Sequence, residues 1–515
     1  MAAKARPSMQ MAEPQQPRLP GLQLFDLGIV NDVLDTAEFQ DLSIDSALKA
    51  VETNRGPVHP GLRTWVRHAV IQYFEAHQFL WDRDCLRLVP HKPKWVVQYP
   101  REIGFETPIL EVAAWGRRYC SADRQVRELR LLRRRSVKDR QRDDSEIATA
   151  LYVLAHGRAT RGRTRFDLPH ALVDTVEQPR RLRVVEIGCE DGSVNILDDV
   201  DVDGARQRYR ESGQHRAREV VQGGGQRNPG SSCQKCKLVD GCTAVPRADG
   251  ILGIVERRRP RRTWSVTNGR AYIRCPAQEY LTRLNLPRAS AVEYGESATR
   301  GQAVHTWIEQ NHRRQPVRSC TAAEAPFADS WQAGPWEVTG SQALLGAQMI
   351  GDHALVCPLH HLLPDSPVGV ERTVTAYDAD ANVVVIAKID LVYRDGPACV
   401  LREMKTTEGT DGGDPLARYP QLSLGLLLLA HAVLGDGSAN GRVELERLTP
   451  AGPVVESFHP TNSDHMEQAR QVINNLAASW HADTTARAQP GPECHRCAVS
   501  QWCPEAFMRP HDEDY

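Results

Sequence analysis

Two acids and a lysine, Asp390, Glu403 and Lys405, stand close together in the C-terminal half of the chain, within alternating apolar residues. Two carboxylates facing one point make a hard-oxygen site suited to Mg2+ or Mn2+. An ammonium beside them can orient or deprotonate an attacking water and offset phosphate charge, while a divalent ion polarises the phosphoryl oxygen and stabilises the leaving group. The chemistry indicated is phosphodiester hydrolysis. Thiols flank the trio: Cys275 upstream, and Cys494-x2-Cys497-x5-Cys503 downstream. Those three soft ligands in one loop are one short of the four that a [4Fe-4S] cluster or a structural Zn2+ requires, so a fourth must come from elsewhere in the chain.

Strands must hold the trio. They are expected over Val368 to Ala376, Val383 to Val392 and Ala398 to Met404, joined by the turns Tyr377 to Asn382 and Asp395-Gly396. Asp390 closes the second strand. Glu403 and Lys405 lie two apart on the third, and alternation sends both to one face. A helix is expected over Arg300 to His312, and another from Asp414-Pro415 through a Leu-rich run to Gly435. A hairpin over Val443 to Phe458 and an amphipathic helix over Asp464 to Trp480 complete the order helix, three strands, helix, two strands, helix.

Four words carry a resemblance: Arg300-Gly301-Gln302-Ala303-Val304-His305; Ala387-Lys388-Ile389-Asp390-Leu391-Val392-Tyr393 with Asp395-Gly396; Glu403-Met404-Lys405-Thr406; and Tyr419-Pro420-Gln421-Leu422. From about Thr263 to Phe507 the chain resembles the PD-(D/E)XK nuclease superfamily, specifically its RecB-like branch, which includes CRISPR-associated exonucleases bearing an iron–sulfur cluster. The resemblance implies a mixed α/β, restriction-endonuclease-like sheet flanked by helices. It also implies that His305, Asp390 and Glu403 are metal ligands, Lys405 is the catalytic lysine, and Gln421 steadies the active site and DNA. Tyr272-Ile273-Arg274-Cys275-Pro276, followed by Glu279-Tyr280-Leu281, resembles the opening cysteine word of the cluster-bearing members, which makes Cys275 the candidate fourth ligand beside Cys494, Cys497 and Cys503, and the family resemblance favours iron–sulfur over Zn2+ there. One departure stands out: the aromatic residue usual four positions after the glutamine is Gly425 here. Glu371, on the first strand, has two readings, an acid supporting the metal ligands from behind or an exposed strand carboxylate, and the second is favoured.

The spacing Cys233-x2-Cys236-x5-Cys242 repeats the C-terminal triplet, and Trp115 to Cys120, followed by what reads as a basic helix, echoes the surroundings of Cys275. Between them a hairpin is expected over Leu182 to Leu197, with no acid-x-Lys available. An internal duplication follows: a smaller, degenerate nuclease-like domain holding a second cluster or Zn2+ through Cys120, Cys233, Cys236 and Cys242. The domain expectation is a disordered tail over 1–20, an unassigned region over 21–97, the degenerate domain over 98–250 and the nuclease domain over 257–510, since a chain of 515 residues exceeds one core.

A formal net charge of −1 supplies no global attraction to nucleic acid, so DNA must be held by local patches. Candidates are Arg133, Arg134 and Arg135 in the basic run Arg124 to Arg142, and Arg258, Arg259, Arg261 and Arg262, with Ser265 and Thr267 beside them. Leu22-Gln23-Leu24-Phe25 loosely resembles a sliding-clamp-binding peptide. Cys85, Cys189, Cys320, Cys357 and Cys399 have no ligand spacing and read as small buried hydrophobes. With no run of about 18 apolar residues, a cytoplasmic, membrane-free protein is expected. Its substrate would be single-stranded DNA or duplex ends, in DNA repair, CRISPR adaptation or anti-phage defence. The alternative is a non-catalytic DNA-binding or scaffold protein on a nuclease-like fold.

Overall fold

The computed structural model describes residues 22–507 apart from 24, 100–109, 139, 163–168, 176, 223–226, 237, 290–294, 410–411 and 436–439. The tail expected over 1–20 and the break at Gly223 to Gly225 lie outside the described residues.

The N-terminal lobe begins with three helices, α1 (Asp26–Gln40), α2 (Ile44–Arg55) and α3 (Pro60–Asp84). Ser43 caps α2, Pro60 opens α3, and Leu62, Trp65, Val66, Ala69, Val70 and Tyr73 give α3 a buried face at helical spacing. Strands β1 (Val89–Pro90), β2 (Trp95–Tyr99), β3 (Leu110–Ala113), β4 (Arg117–Cys120) and β5 (Val126–Arg133) follow, then α4 (Asp144–His156), β6 (Arg158–Ala159), β7 (Arg181–Gly188), β8 (Val194–Val200), α5 (Val202–Arg208) and α6 (Gln214–Gln222). The three opening helices are not a separate unit: α3 shares an apolar cluster with Tyr119, Val185 and Ile187 of the sheet. Leu22 is buried in the same cluster and Tyr280 Oη bonds the Gln23 backbone, whereas Phe25 is exposed and Leu24 lies outside the described residues.

The stretch expected as a basic helix is strand β5. Its charges recur at near-helical spacing, but β5 is buried on both faces and its arginines are neutralised in place. Arg130 pairs with Glu128 at 2.6 Å and Arg127 with Glu177 at 2.9 Å. Tertiary partners overrode the local pattern.

The C-terminal lobe contains β9 (Arg262–Trp264), α7 (Val266–Arg274), α8 (Pro276–Arg283), α9 (Glu296–His312), β10 (Ser330–Ala333), β11 (Trp336–Thr339), α10 (Gly340–Val356), β12 (Gly369–Asp378), β13 (Val383–Asp395), β14 (Ala398–Thr406), α11 (Pro415–Arg418), α12 (Pro420–Ala430), β15 (Arg442–Thr449), β16 (Gly452–Phe458) and α13 (Ser463–Ala482). The expected single helix from Asp414 is two, because Pro420 brings no N–H and forces Tyr419 out of helical geometry, at ψ 74°. Helix α12 is buried almost all round, between the sheet and α13, which accounts for its Leu-rich composition.

The two lobes share one topology. The N-terminal sheet runs β1-β4-β5-β7-β8 and the C-terminal sheet β12-β13-β14-β15-β16, with β9 adding a parallel pairing to β13. Read across either sheet, the pairings are antiparallel, antiparallel, parallel, antiparallel. In each, the parallel pair is bridged by a helical crossover, as a parallel connection requires. After the last strand, each lobe runs through helix into a Cys-x2-Cys-x5-Cys loop. No helix of the described residues is long and apolar enough to cross a membrane.

Candidate active site and cysteine clip

The β13–β14 register places the acids. One step beyond the Leu391–Arg402 pair, Asp390 falls opposite Glu403, and directly opposed residues of antiparallel strands point to one face about 5 Å apart. Asp390 Oδ2 accepts from the Met404 N–H at 2.8 Å, so the side chain takes over where the backbone ladder stops. Lys405 reaches the same face, and its Nζ donates to Glu403 Oε1 at 2.5 Å.

Helix α9 supplies the histidine. A Cβ on Gly301 would stand 2.8 Å from Thr406 Oγ1, so the glycine lets α9 settle on the end of β14. One turn on, His305 Nε2 lies 3.2 Å from Asp390 Oδ2 and 3.8 Å from Glu371 Oε1. Glu371 therefore belongs to the site and is not the exposed strand carboxylate expected; its side chain is 9% exposed and pairs with Lys388. It sits opposite Asp390 on β12, at the unpaired position between Val370–Leu391 and Arg372–Ile389, with a left-handed φ of 53°. Such strain in a glutamate clusters at functional sites. Glu371 turns a row of two acids into a row of three.

The electrostatics of this row favour cations. Burial and the Asp390 charge push the Glu403 carboxyl up to about 7, against the pull of Lys405. Burial works against ionised Asp390, yet the His305 hydrogen bond and the Lys405 charge outweigh it and hold its carboxyl below the usual range. Burial likewise disfavours charge on His305, but the adjacent Asp390 and Glu371 raise its basicity. Crowded acids draw positive charge from whatever faces them.

These groups line a cleft of about 920 Å³ that also admits Gln421, Ser265 and Thr267. Gln421, on the first turn of α12, holds a buried Oε1 with no hydrogen-bond partner in the protein. A polar atom stranded beside an acidic row is a ready acceptor for a water or a ligand group. At Gly425 a Cβ would already lie 3.2 Å from Val443 Cγ2, so the departure from the aromatic reflects close packing of α12 on β15.

Residues 263–504 match the family model of the PD-(D/E)XK nuclease superfamily. The C-terminal lobe thus has a restriction-endonuclease-like mixed α/β fold, and its match points to nuclease chemistry. No curated protein matches the chain. Among solved structures, one titled "Crystal structure of SSO0001" aligns at 17% identity over 47% of this chain and 85% of that one, with a TM-score of 0.22, too loose a likeness to carry an argument.

The structure brings Cys275, Cys494, Cys497 and Cys503 around one small cavity, although Cys275 is set on the cap between α7 and α8, far from the others in sequence. Backbone N–H groups point at the sulfurs: Gln489 to Cys275 and Gly491 to Cys494, each at 3.4 Å. Burial and the neighbouring thiols raise the Cys497 thiol. Among the described residues, the sets of three or more ligand atoms within 4.8 Å of one another do not include these sulfurs, whereas a four-thiolate zinc tetrahedron has edges of about 3.8 Å. The loop packs on the other lobe, with Trp502 and Trp65 rings 4.9 Å apart.

The N-terminal triplet repeats the local geometry, Gly230 N–H reaching Cys233 Sγ at 3.4 Å, but Cys120 is not with it. Cys120 accepts from Arg124 at 3.0 Å and pairs in register with Arg127. Arg134, which shares the Phe25 ring with Lys235 of the cysteine loop, lies seven residues farther along, about 23 Å of extended chain. The chain carries Cys120 to the opposite end of the sheet.

Most of the expected DNA-binding arginines are committed internally. Arg262 is 2% exposed, stacks on Trp480 at 4.0 Å and donates to the carbonyls of Trp480 and His481, and burial pushes it down to about 9. Arg261 is buried, bonding the Cys236 carbonyl and Asn382. Arg134 grips both oxygens of Asp26 at 2.8 Å, and Arg133 pairs with Glu186 at 3.2 Å. Arg259 is half-buried, while Arg135 and Arg258 are exposed. Cys189, Cys320, Cys357 and Cys399 are buried as expected, but Cys85 is exposed.

Proposed function

We propose that the protein is a divalent-metal-dependent DNA nuclease acting as an exonuclease, with the C-terminal lobe catalytic and the N-terminal lobe a degenerate copy that helps grip DNA. The observation that carries this reading is the row Glu371, Asp390 and Glu403 facing His305 and Lys405 across one cleft. Asp390, Glu403 and His305 would hold Mg2+ or Mn2+: the donor set is hard oxygen plus imidazole, and the like charges at Asp390 and Glu403 are incompletely offset without a cation. The ion would supply Lewis-acid polarisation of the phosphate and charge neutralisation at the leaving oxygen.

The remaining work belongs to the chain's own groups. Lys405, kept protonated by Glu403 and Asp390 despite its burial, holds the attacking water and screens the phosphate. Gln421 Oε1 accepts a hydrogen bond from that water or from DNA, and Glu371 orients His305. Cys275, Cys494, Cys497 and Cys503 would hold a [4Fe-4S] cluster with a structural role, closing the lobe's two ends on each other. DNA repair, CRISPR adaptation and anti-phage defence are the settings proposed for such an activity.

The test is degradation of end-labelled single-stranded and duplex DNA by the anaerobically purified chain in Mg2+ or Mn2+. Loss of cleavage in Lys405→Ala, with DNA affinity kept, supports the reading. Wild-type protein that binds DNA and leaves it whole in both metals would instead make it a scaffold.

A further inference from the structure

Behind the cleft, at the far end of α9 from His305, four buried side chains meet. His312 ends α9, Cys320 lies on the segment that follows, His353 is in the last turn of α10, and Cys357 caps that helix. None is more than 3% exposed. One ligand atom from each lies within 4.8 Å of all the others. His312 Nε2 and His353 Nε2 are 3.1 Å apart, and His312 Nε2 is 3.6 Å from Cys357 Sγ. A tetrahedral zinc ion with ordinary bond lengths separates two nitrogens by about 3.3 Å and a nitrogen from a sulfur by about 3.6 Å. The two separations match edges of that tetrahedron.

The surroundings orient the ligands as a metal site needs. His353 Nδ1 is 2.6 Å from Glu446 Oε1, which leaves Nε2 to face the centre, and Arg402 Nη1 fixes Glu446 through Oε2 at 3.0 Å. A carboxylate behind a metal-bound histidine is the recurrent support of zinc sites. Cys357 Sγ accepts the Cys320 N–H at 3.4 Å. Packing alone gives no reason for two imidazole nitrogens and two thiols to converge in a dry interior, where such groups are costly without a common partner. Two soft thiolates and two imidazoles select zinc over the hard ions of the cleft, and the closed burial leaves no position for substrate.

We infer that His312, Cys320, His353 and Cys357 form a structural Cys2His2 zinc site, distinct from the cleft and from both cysteine triplets. Cys320 and Cys357 are then ligands and not the small hydrophobes that their isolation in sequence suggests. The site ties α9 to α10 and, through Glu446, to β15. His305 lies seven residues up α9, about 10 Å along the axis, so the zinc clamp sets the helix that presents it.

The experiment is zinc and iron content of the full chain, measured by mass spectrometry on wild type and on C320A/C357A, together with the zinc-edge X-ray absorption spectrum of the wild type. The expected result is zinc in the wild type with mixed nitrogen and sulfur coordination, and the loss of one zinc per chain in the double variant at unchanged iron. Wild type without zinc, a sulfur-only spectrum, or zinc content equal in wild type and variant overturns the assignment, as does a Cys320–Cys357 disulfide in non-reducing peptide maps. The wild-type spectrum decides even if the double variant does not fold, and none of these readings depends on nuclease activity.

Discussion

The two sheets of this protein have the same strand order and pairings, yet treat charge in opposite ways. In the N-terminal sheet every buried charge at the centre has an arginine–carboxylate partner: Arg183 lies 3.3 Å from Glu128 and 2.7 Å from Asp84, Arg130 pairs with Glu128, and Arg117 with Asp35 at 2.7 Å. Arginine keeps its proton at neutral pH, so the charge of these pairs is balanced within the protein. In the C-terminal sheet three acids share one row, and Glu403 is held near 7 by burial and by the charge of Asp390. Shared topology thus says little about chemistry. What sets the C-terminal sheet apart is the accumulation of like charge facing a cleft.

The largest break in that comparison is expected from Lys405→Ala, which should cut cleavage at least about 100-fold with folding retained, measured on labelled DNA in Mn2+. Persistence of normal cleavage would remove Lys405 from the mechanism. Next comes Cys497→Ser: the visible absorbance of a cluster should bleach and thermal unfolding should move down, with the Trp502–Trp65 contact between lobes loosened. A colourless wild type carrying zinc at these thiols would replace the cluster with a metal ion. In the other sheet, Arg183→Ala should lower stability by about 3 kcal/mol in denaturant titration, since it leaves buried acids short of a partner, while the rate per folded molecule stays unchanged. A large rate loss there would show that the N-terminal lobe takes part in chemistry. The smallest effect is expected from Arg258→Ala or Arg135→Ala, each exposed: DNA affinity should fall a few-fold and the salt slope by roughly one contact. An unchanged slope would place the DNA path elsewhere.

The active-site strands were legible because alternation is a local property. Glu403 and Lys405 share a face whenever that segment is extended, and β14 is extended. The word around Gly301 and His305 is also physical, since only a residue without a Cβ allows α9 so near Thr406. Glu371 was legible only as the less favoured of two readings, because its placement depends on one left-handed backbone angle, which no alternation pattern encodes. The basic run misled for a related reason. Arginines spaced like a helix face became a buried strand once Glu177 and Glu186 arrived from other segments, with Glu128 on the strand itself, to neutralise them.

By itself the sequence determined the strand and helix order of the C-terminal lobe, the acids and lysine of its centre, and the repeated cysteine spacing, because each is written within a few consecutive residues. The resemblance already names Cys275 as the partner of the C-terminal triplet, whereas tertiary structure alone took Cys120 away from its supposed partners and set Cys320 and Cys357 beside two histidines. Ligand sets are assembled across loops of tens to hundreds of residues, whose closure costs little more entropy as they lengthen, so spacing along the chain places almost no limit on who meets whom.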